Sequence, residues 1–431
     1  MSKQQVPTKR YLTIALLSLA LAASAGILLR FGLIMGMPAW AADYSAVRHA
    51  HSHLMYFGWV TLALMALIWR YLPMLTGRVL PRGVNLQMGA SALTALLSFP
   101  AFWSNGYGTT EIGNMDLPLG SMVSGLNGIL WIFFAFLYLQ ATWGLSQRSL
   151  PIQLWDSAIL LLLVAFTGAL GLVGMVMTGR GSLSLQQLFL HLFLDLFAVG
   201  WFGLALLGLL WAQIRERAPA PPWLPTLSLA LCIAPTSLLG ISPILVPERL
   251  FWIAAVANLI AAVMLAWHGA VLWQQRTHLP LMAQFGLAML AIHAVGAIFV
   301  IWPGFWLWSA GTQLRVFYLH NFLLGWVSSA LLGVIVALCW QPRRAVERTI
   351  TIVWAGGIAV MLLALLGIGF IQYAPVRVVT LLRVAAWSSI VPTLVALWVL
   401  GVLLLVSCFQ TGARGRQVTR NAYGVHYDQT N

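Results

Sequence analysis

The chain has 431 residues, of which 61% are apolar and only 7% charged, and its formal net charge is +14. A soluble domain carries about a quarter charged residues, so water is excluded as the main environment of this surface. Lipid must be the solvent, and the sequence lacks the dyad alternation of a membrane barrel, which leaves an all-α polytopic membrane protein.

About 20 consecutive apolar residues cross the hydrocarbon layer as a helix. Runs of that length lie at roughly 11–36, 50–72, 85–103, 121–145, 153–178, 187–213, 224–246, 250–274, 281–302, 316–340, 350–373 and 384–408. They predict twelve transmembrane helices forming a single membrane-embedded domain over residues 1–431, with a polar cytoplasmic tail over 409–431. The first run follows Lys3, Lys9 and Arg10. At about 26 residues it is too long for the apolar core of a signal peptide and reads as a span. Loops are short, the longest lying at about 104–120 with Glu111 and Asp116.

The charges support this count. With an inside N-terminus, the even-numbered loops and both tails hold Lys3, Lys9, Arg10, Arg70, Arg78, Arg82, Arg148, Arg215, Arg217, Arg276, Arg343, Arg344, Arg348, Arg414, Arg416 and Arg420. The opposite side holds Arg48, Arg180, Arg249, Arg315, Arg377 and Arg383, and Arg30 falls near the outer end of the first span. That asymmetry obeys the positive-inside rule and places both termini in the cytoplasm. The excess of positive charge is thus a topology signal, and no basic surface domain offers a nucleic-acid site. Cys232, Cys339 and Cys408 stand far apart in apolar runs, and no C-x-x-C-H occurs, which excludes covalent haem and a local thiolate metal site.

An internal repeat runs through spans two, six and ten. His53, Gly58, Trp59, Ala63 and Leu64 recur at the same offsets as His320, Gly325, Trp326, Ala330 and Leu331. Asp195, Gly200, Trp201, Ala205 and Leu206 repeat them again in span six. Each set lies on the second helix of a quartet, so three pseudo-repeated four-helix units are expected. Two of the three equivalent positions are histidine, at matching depth in helices that run the same way. A lone membrane histidine is more often a packing residue than a ligand. A repeat-related pair facing across a bundle can supply both axial ligands of a haem iron.

On these residues the chain resembles subunit I of the haem-copper oxidase superfamily, which includes terminal oxidases and nitric oxide reductases. His320-Asn-Phe-Leu-Leu-Gly325-Trp326 is similar to the segment after the second histidine of the family's helix-ten H-x-H. The resemblance implies a non-covalent low-spin haem b on His53 and His320, with Arg377 and Arg383 against its propionates. It further implies an oxidoreductase of the respiratory or nitric oxide type in a bacterial or archaeal cytoplasmic membrane, partnered by a cytochrome or another membrane redox subunit. The departures are specific. The family's high-spin haem histidine is replaced by Tyr318, and span seven has no histidine for copper. His191 in span six could match the family's third copper ligand and His49 is a lesser candidate, but one imidazole does not make a copper site, so a complete copper centre is not expected.

Structural and functional roles stay open for Tyr318, for His49 beside His53, and for the His191–Asp195 pair, which shares a helix face at i, i+4. His268, His278 and His293 have no repeat partner and read as structural. The alternative class is a twelve-span secondary transporter, because carriers are also built from repeats and broken helices, and Pro235, Gly240 and Pro243 permit a break in span seven.

Overall fold

Backbone polar groups in hydrocarbon must find partners within their own segment, and the apolar runs accordingly wind into helices. The computed structural model describes residues 7–41, 43–215, 221, 223–371 and 374–423, with the backbone alone at 375–376 and beyond 405. Lys3 and Arg217, and the side chains of Arg414, Arg416, Arg420 and Cys408, therefore lie outside the described residues.

In chain order the helices are α1 (Thr8–Met35), α2 (Tyr44–Thr76), α3 (Val84–Asn105), α4 (Leu119–Thr142), α5 (Leu150–Thr178) and α6 (Leu183–Ile214). They continue as α7 (Leu227–Gly240), α8 (Glu248–Gln274), α9 (Leu281–Phe299), α10 (Leu314–Cys339), α11 (Arg344–Ile371) and α12 (Pro375–Tyr423). Among the described residues, ten of these are long and apolar enough to cross a membrane, and α3 and α7 fall short. The protein is an all-α polytopic membrane protein.

The two exceptions have separate causes. α3 is long enough, but Gln87, Ser91, Thr94 and Ser98 dilute its hydropathy. Those groups are buried, and Gln87 alone meets the Trp69 indole, Met65 and Ser91. α7 breaks where Pro235 removes a backbone donor, tightening to a 3₁₀ turn over Ala234–Gly240. The unbroken span expected at 224–246 is therefore shorter and irregular.

Local chemistry sets several ends. The Asp43 carboxylate accepts from the Ser45 and Ala46 amides to start α2, and Gly77 at φ +70° ends it by donating to the Pro73 carbonyl. Two features went unanticipated in the loops. A hairpin of β1 (Thr110–Ile112) and β2 (Met115–Leu117) turns through Gly113, and a short helix, Pro303–Ala310, links α9 to α10. α12 also starts earlier than the expected span and continues past Cys408 to Tyr423.

Burial separates inner from outer helices. In α2, α6 and α10, 72–78% of the most apolar window is buried, against 28% in α5 and 33% in α8. These three inner helices are the ones that carry the repeat. Each contains an eight-residue π-helical stretch, Leu54–Thr61, Leu196–Gly203 and Asn321–Ser328, beginning one residue after His53, Asp195 and His320. The repeat tryptophans bridge them. Trp59 donates to Ser328 Oγ at 2.9 Å and Trp201 donates to Thr61 Oγ1 at 3.3 Å. Each acceptor lies two residues beyond its own helix's tryptophan. The corresponding residue of α6 is Gly203, which offers no hydroxyl and lies against the Phe322 ring.

Candidate functional site

α2 presents three histidines on two faces, His49 and His53 on one and His51 on the other. His53 donates from Nδ1 to the His49 carbonyl at 2.9 Å, and its Nε2 accepts from the Tyr107 hydroxyl at 2.8 Å. Its ring stacks on Phe102 at 3.8 Å and meets Phe57 edge-on, so it faces α3 and the following loop. His49 joins the same aromatic group through Tyr107, 4.9 Å away. His51 turns the other way, towards α1, and donates from Nδ1 to the Ala22 carbonyl at 2.7 Å. Gly26 makes room for it, since a Cβ there would lie 3.0 Å from the His51 ring.

His320 on α10 donates from Nδ1 to the Val316 carbonyl at 2.8 Å. Its Coulombic neighbours are Arg30 of α1 and His51 of α2. All three imidazoles thus give their Nδ1 proton to a backbone carbonyl, which fixes the tautomer and leaves a lone pair on Nε2. In His53 that lone pair is taken by Tyr107. The repeat offset selects His53 as the partner of His320, whereas of the α2 histidines it is His51 that acts electrostatically on His320. Arg30 joins this group although its sequence reads as a buried topological charge; its signal was a lone cation near the outer end of the first span.

A second polar cluster links α6, α7, α9 and α10. His191 Nδ1 is 2.9 Å from an Arg315 amine and 3.3 Å from Asp195 Oδ2. The same guanidinium nitrogen lies 3.2 Å from Nε2, so in either tautomer the lone-pair nitrogen of the ring accepts from Arg315. Arg315 also donates to the Gly240 carbonyl at 3.2 Å, at the end of the broken α7. Glycine is required there, because any Cβ would collide with the His191 imidazole. Nearby, Tyr318 stacks on His293 at 4.2 Å with its hydroxyl 3.1 Å from Nε2, and Asp195 lies in Coulombic reach of Tyr318 and Tyr56. His293, which lacked a repeat partner, and Arg315 are therefore the residues of this cluster that sequence reading passed over. Among the described residues no three His, Cys, Asp or Glu side chains gather as a metal site.

Arg377 and Arg383 are exposed near the start of α12. Arg383 lines a groove between α11 and α12 with Gly356, Val360 and Trp387.

No family model and no curated protein sequence matches the chain. Among solved structures it is similar to a haem-copper terminal oxidase determined as a dimer by cryo-electron microscopy. The TM-score is 0.68 at 13% identity, over 93% of this chain and 84% of that one. At that identity the likeness speaks for the fold, and the chain has the fold of a haem-copper terminal oxidase.

Proposed function

We propose that this protein is a membrane redox subunit holding one low-spin, non-covalent haem b between α2 and α10, with His320 as one axial ligand. The observation that carries the reading is the shared state of the histidines. Each donates its Nδ1–H to a carbonyl, the arrangement that metal-binding histidines adopt, which leaves Nε2 of His51 and His320 as the acceptor nitrogen, while Nε2 of His53 accepts from Tyr107. The second ligand comes from α2. His51 is favoured by its electrostatic reach to His320 and by its Nε2, which has no Tyr107 partner, and His53 is the second reading, favoured by its repeat offset. Bound haem would supply reversible one-electron chemistry at iron. In this proposal the cation facing a propionate is Arg30, which neighbours both His51 and His320, and the role that resemblance implied for Arg377 and Arg383 passes to it.

A complete copper centre is not part of the proposal. His191 gives its lone pair to a guanidinium, and a cation already sits where copper would need that electron pair. The carrier alternative draws on the broken α7, but the Gly240 carbonyl freed by the break is engaged by Arg315. We further propose that both termini lie in the cytoplasm of a bacterial or archaeal cell, with a cytochrome or similar membrane protein as redox partner.

The test is a visible spectrum and haem extraction on detergent-purified protein and on His51→Ala, His53→Ala and His320→Ala at matched folded amounts. The His320 variant should lose the low-spin spectrum, and one of the two α2 variants should lose it with it. A haem-free parent, or an unchanged spectrum in His320→Ala, would refute the reading.

A further inference from the structure

The bases outside the histidine cluster include one with no evident protein counterpart. Arg383 is exposed, and among the described residues it has no hydrogen-bond or ion-pair partner. The stretch of α12 that carries no charged residue begins at the next residue, Val384, and runs through the rest of the span. A guanidinium at that boundary stands where hydrocarbon gives way to headgroups, the level at which charged side chains are tolerated if they find a counter-charge.

Directly beneath it lies an open groove of about 570 Å³ between α11 and α12. Its walls are Val360 and Val384, with Trp387 and Val391 further along. Two adjacent glycines shape it in different ways. Gly357 packs so closely that a Cβ would collide with Val391, which brings the two helices into contact as a floor. Gly356 has no atom within 4 Å of where its Cβ would be, and this missing side chain leaves the groove open. Trp387, 65% exposed, stands edge-on to Phe31 of α1 at 5.3 Å and provides the kind of amphipathic ring that marks a bilayer interface.

We propose that this groove binds one anionic phospholipid, with its phosphate on Arg383 and an acyl chain along the wall formed by Val360, Val384 and Val391. The shape and the charge agree: an apolar channel continues into the hydrocarbon layer, and an unpaired cation sits at its mouth. Phosphate is the anion that a bilayer offers at that depth, and a guanidinium binds it bidentately. The inference depends on the membrane setting of α11 and α12 and is independent of whether haem is bound.

Native mass spectrometry of the full-length protein, supplied with phosphatidylglycerol and phosphatidylcholine of identical chains, tests the site. One phosphatidylglycerol should be retained in preference to phosphatidylcholine by about fivefold, the advantage of one basic residue near a membrane surface. Arg383→Gln should bring that ratio close to one, and Arg383→Lys should largely restore it. Gly356→Leu, which fills the groove, should reduce retention of both lipids. Preserved selectivity in Arg383→Gln, or undiminished retention in Gly356→Leu, would overturn the proposal. So would recovery of a quinone or a partner helix from the groove, or a shifted haem spectrum in Arg383→Gln, which would return that residue to a propionate.

Discussion

Replacing Ser328 by alanine tests whether the tryptophan bridges hold α2 and α10 together around the histidines. Ser328 is fully buried; its hydroxyl accepts from Trp59 Nε1 at 2.9 Å and donates to the Leu323 carbonyl at 2.8 Å. The substitution removes one oxygen, opens little volume and leaves the indole N–H stranded. A stranded buried donor costs about 1–3 kcal/mol in soluble proteins. Hydrogen bonds between membrane helices average nearer 0.6 kcal/mol, with a maximum of about 1.7, because the unfolded chain in lipid also finds partners. A loss of about 1 kcal/mol is therefore expected. Thr61→Val removes the acceptor of the longer 3.3 Å bridge from Trp201 while keeping side-chain shape, and should cost about half as much. The assay is reversible unfolding in mixed micelles, extended to a double-mutant cycle with Trp59→Phe. Zero coupling between positions 59 and 328, or a greater loss in Thr61→Val than in Ser328→Ala, would refute the argument.

Gly240→Ala should lower stability by about 1–3 kcal/mol through its collision with the His191 ring, whereas Gly356→Ala, which points into open space, should be neutral in the same thermal assay. Arg148 and Asp156 form a half-exposed pair at 2.6–2.7 Å, with Tyr138 also donating to the carboxylate. Arg148→Ala should cost about 1 kcal/mol or less, and the difference from the parent should shrink in high salt. Reporter fusions should place both termini in the cytoplasm and the 104–118 loop outside; termini on opposite faces would disprove the proposed topology.

Composition alone determined the environment of this chain, and apolar run length placed most of its helices. The reason is local: in lipid each stretch satisfies its own backbone, so a run of the right length becomes a helix whatever its neighbours do. Even the exceptions were partly written in residues, through Pro235 in α7 and the buried polar groups of α3. The recurrence of Gly58-Trp59, Gly200-Trp201 and Gly325-Trp326 in sequence coincides with three π-helical stretches in which each pair holds the same position. The partner that each side chain meets was decided by tertiary structure. His49 and His53 share a helix face at i, i+4 and His51 points elsewhere, which spacing alone gives; the position of α1 and α3 decides that His51 meets Ala22 and His53 meets Tyr107. Arg315 and His191, 124 residues apart, carry no mutual signal in the chain; the fold brings them together where the guanidinium also donates to the Gly240 carbonyl at the end of the broken α7.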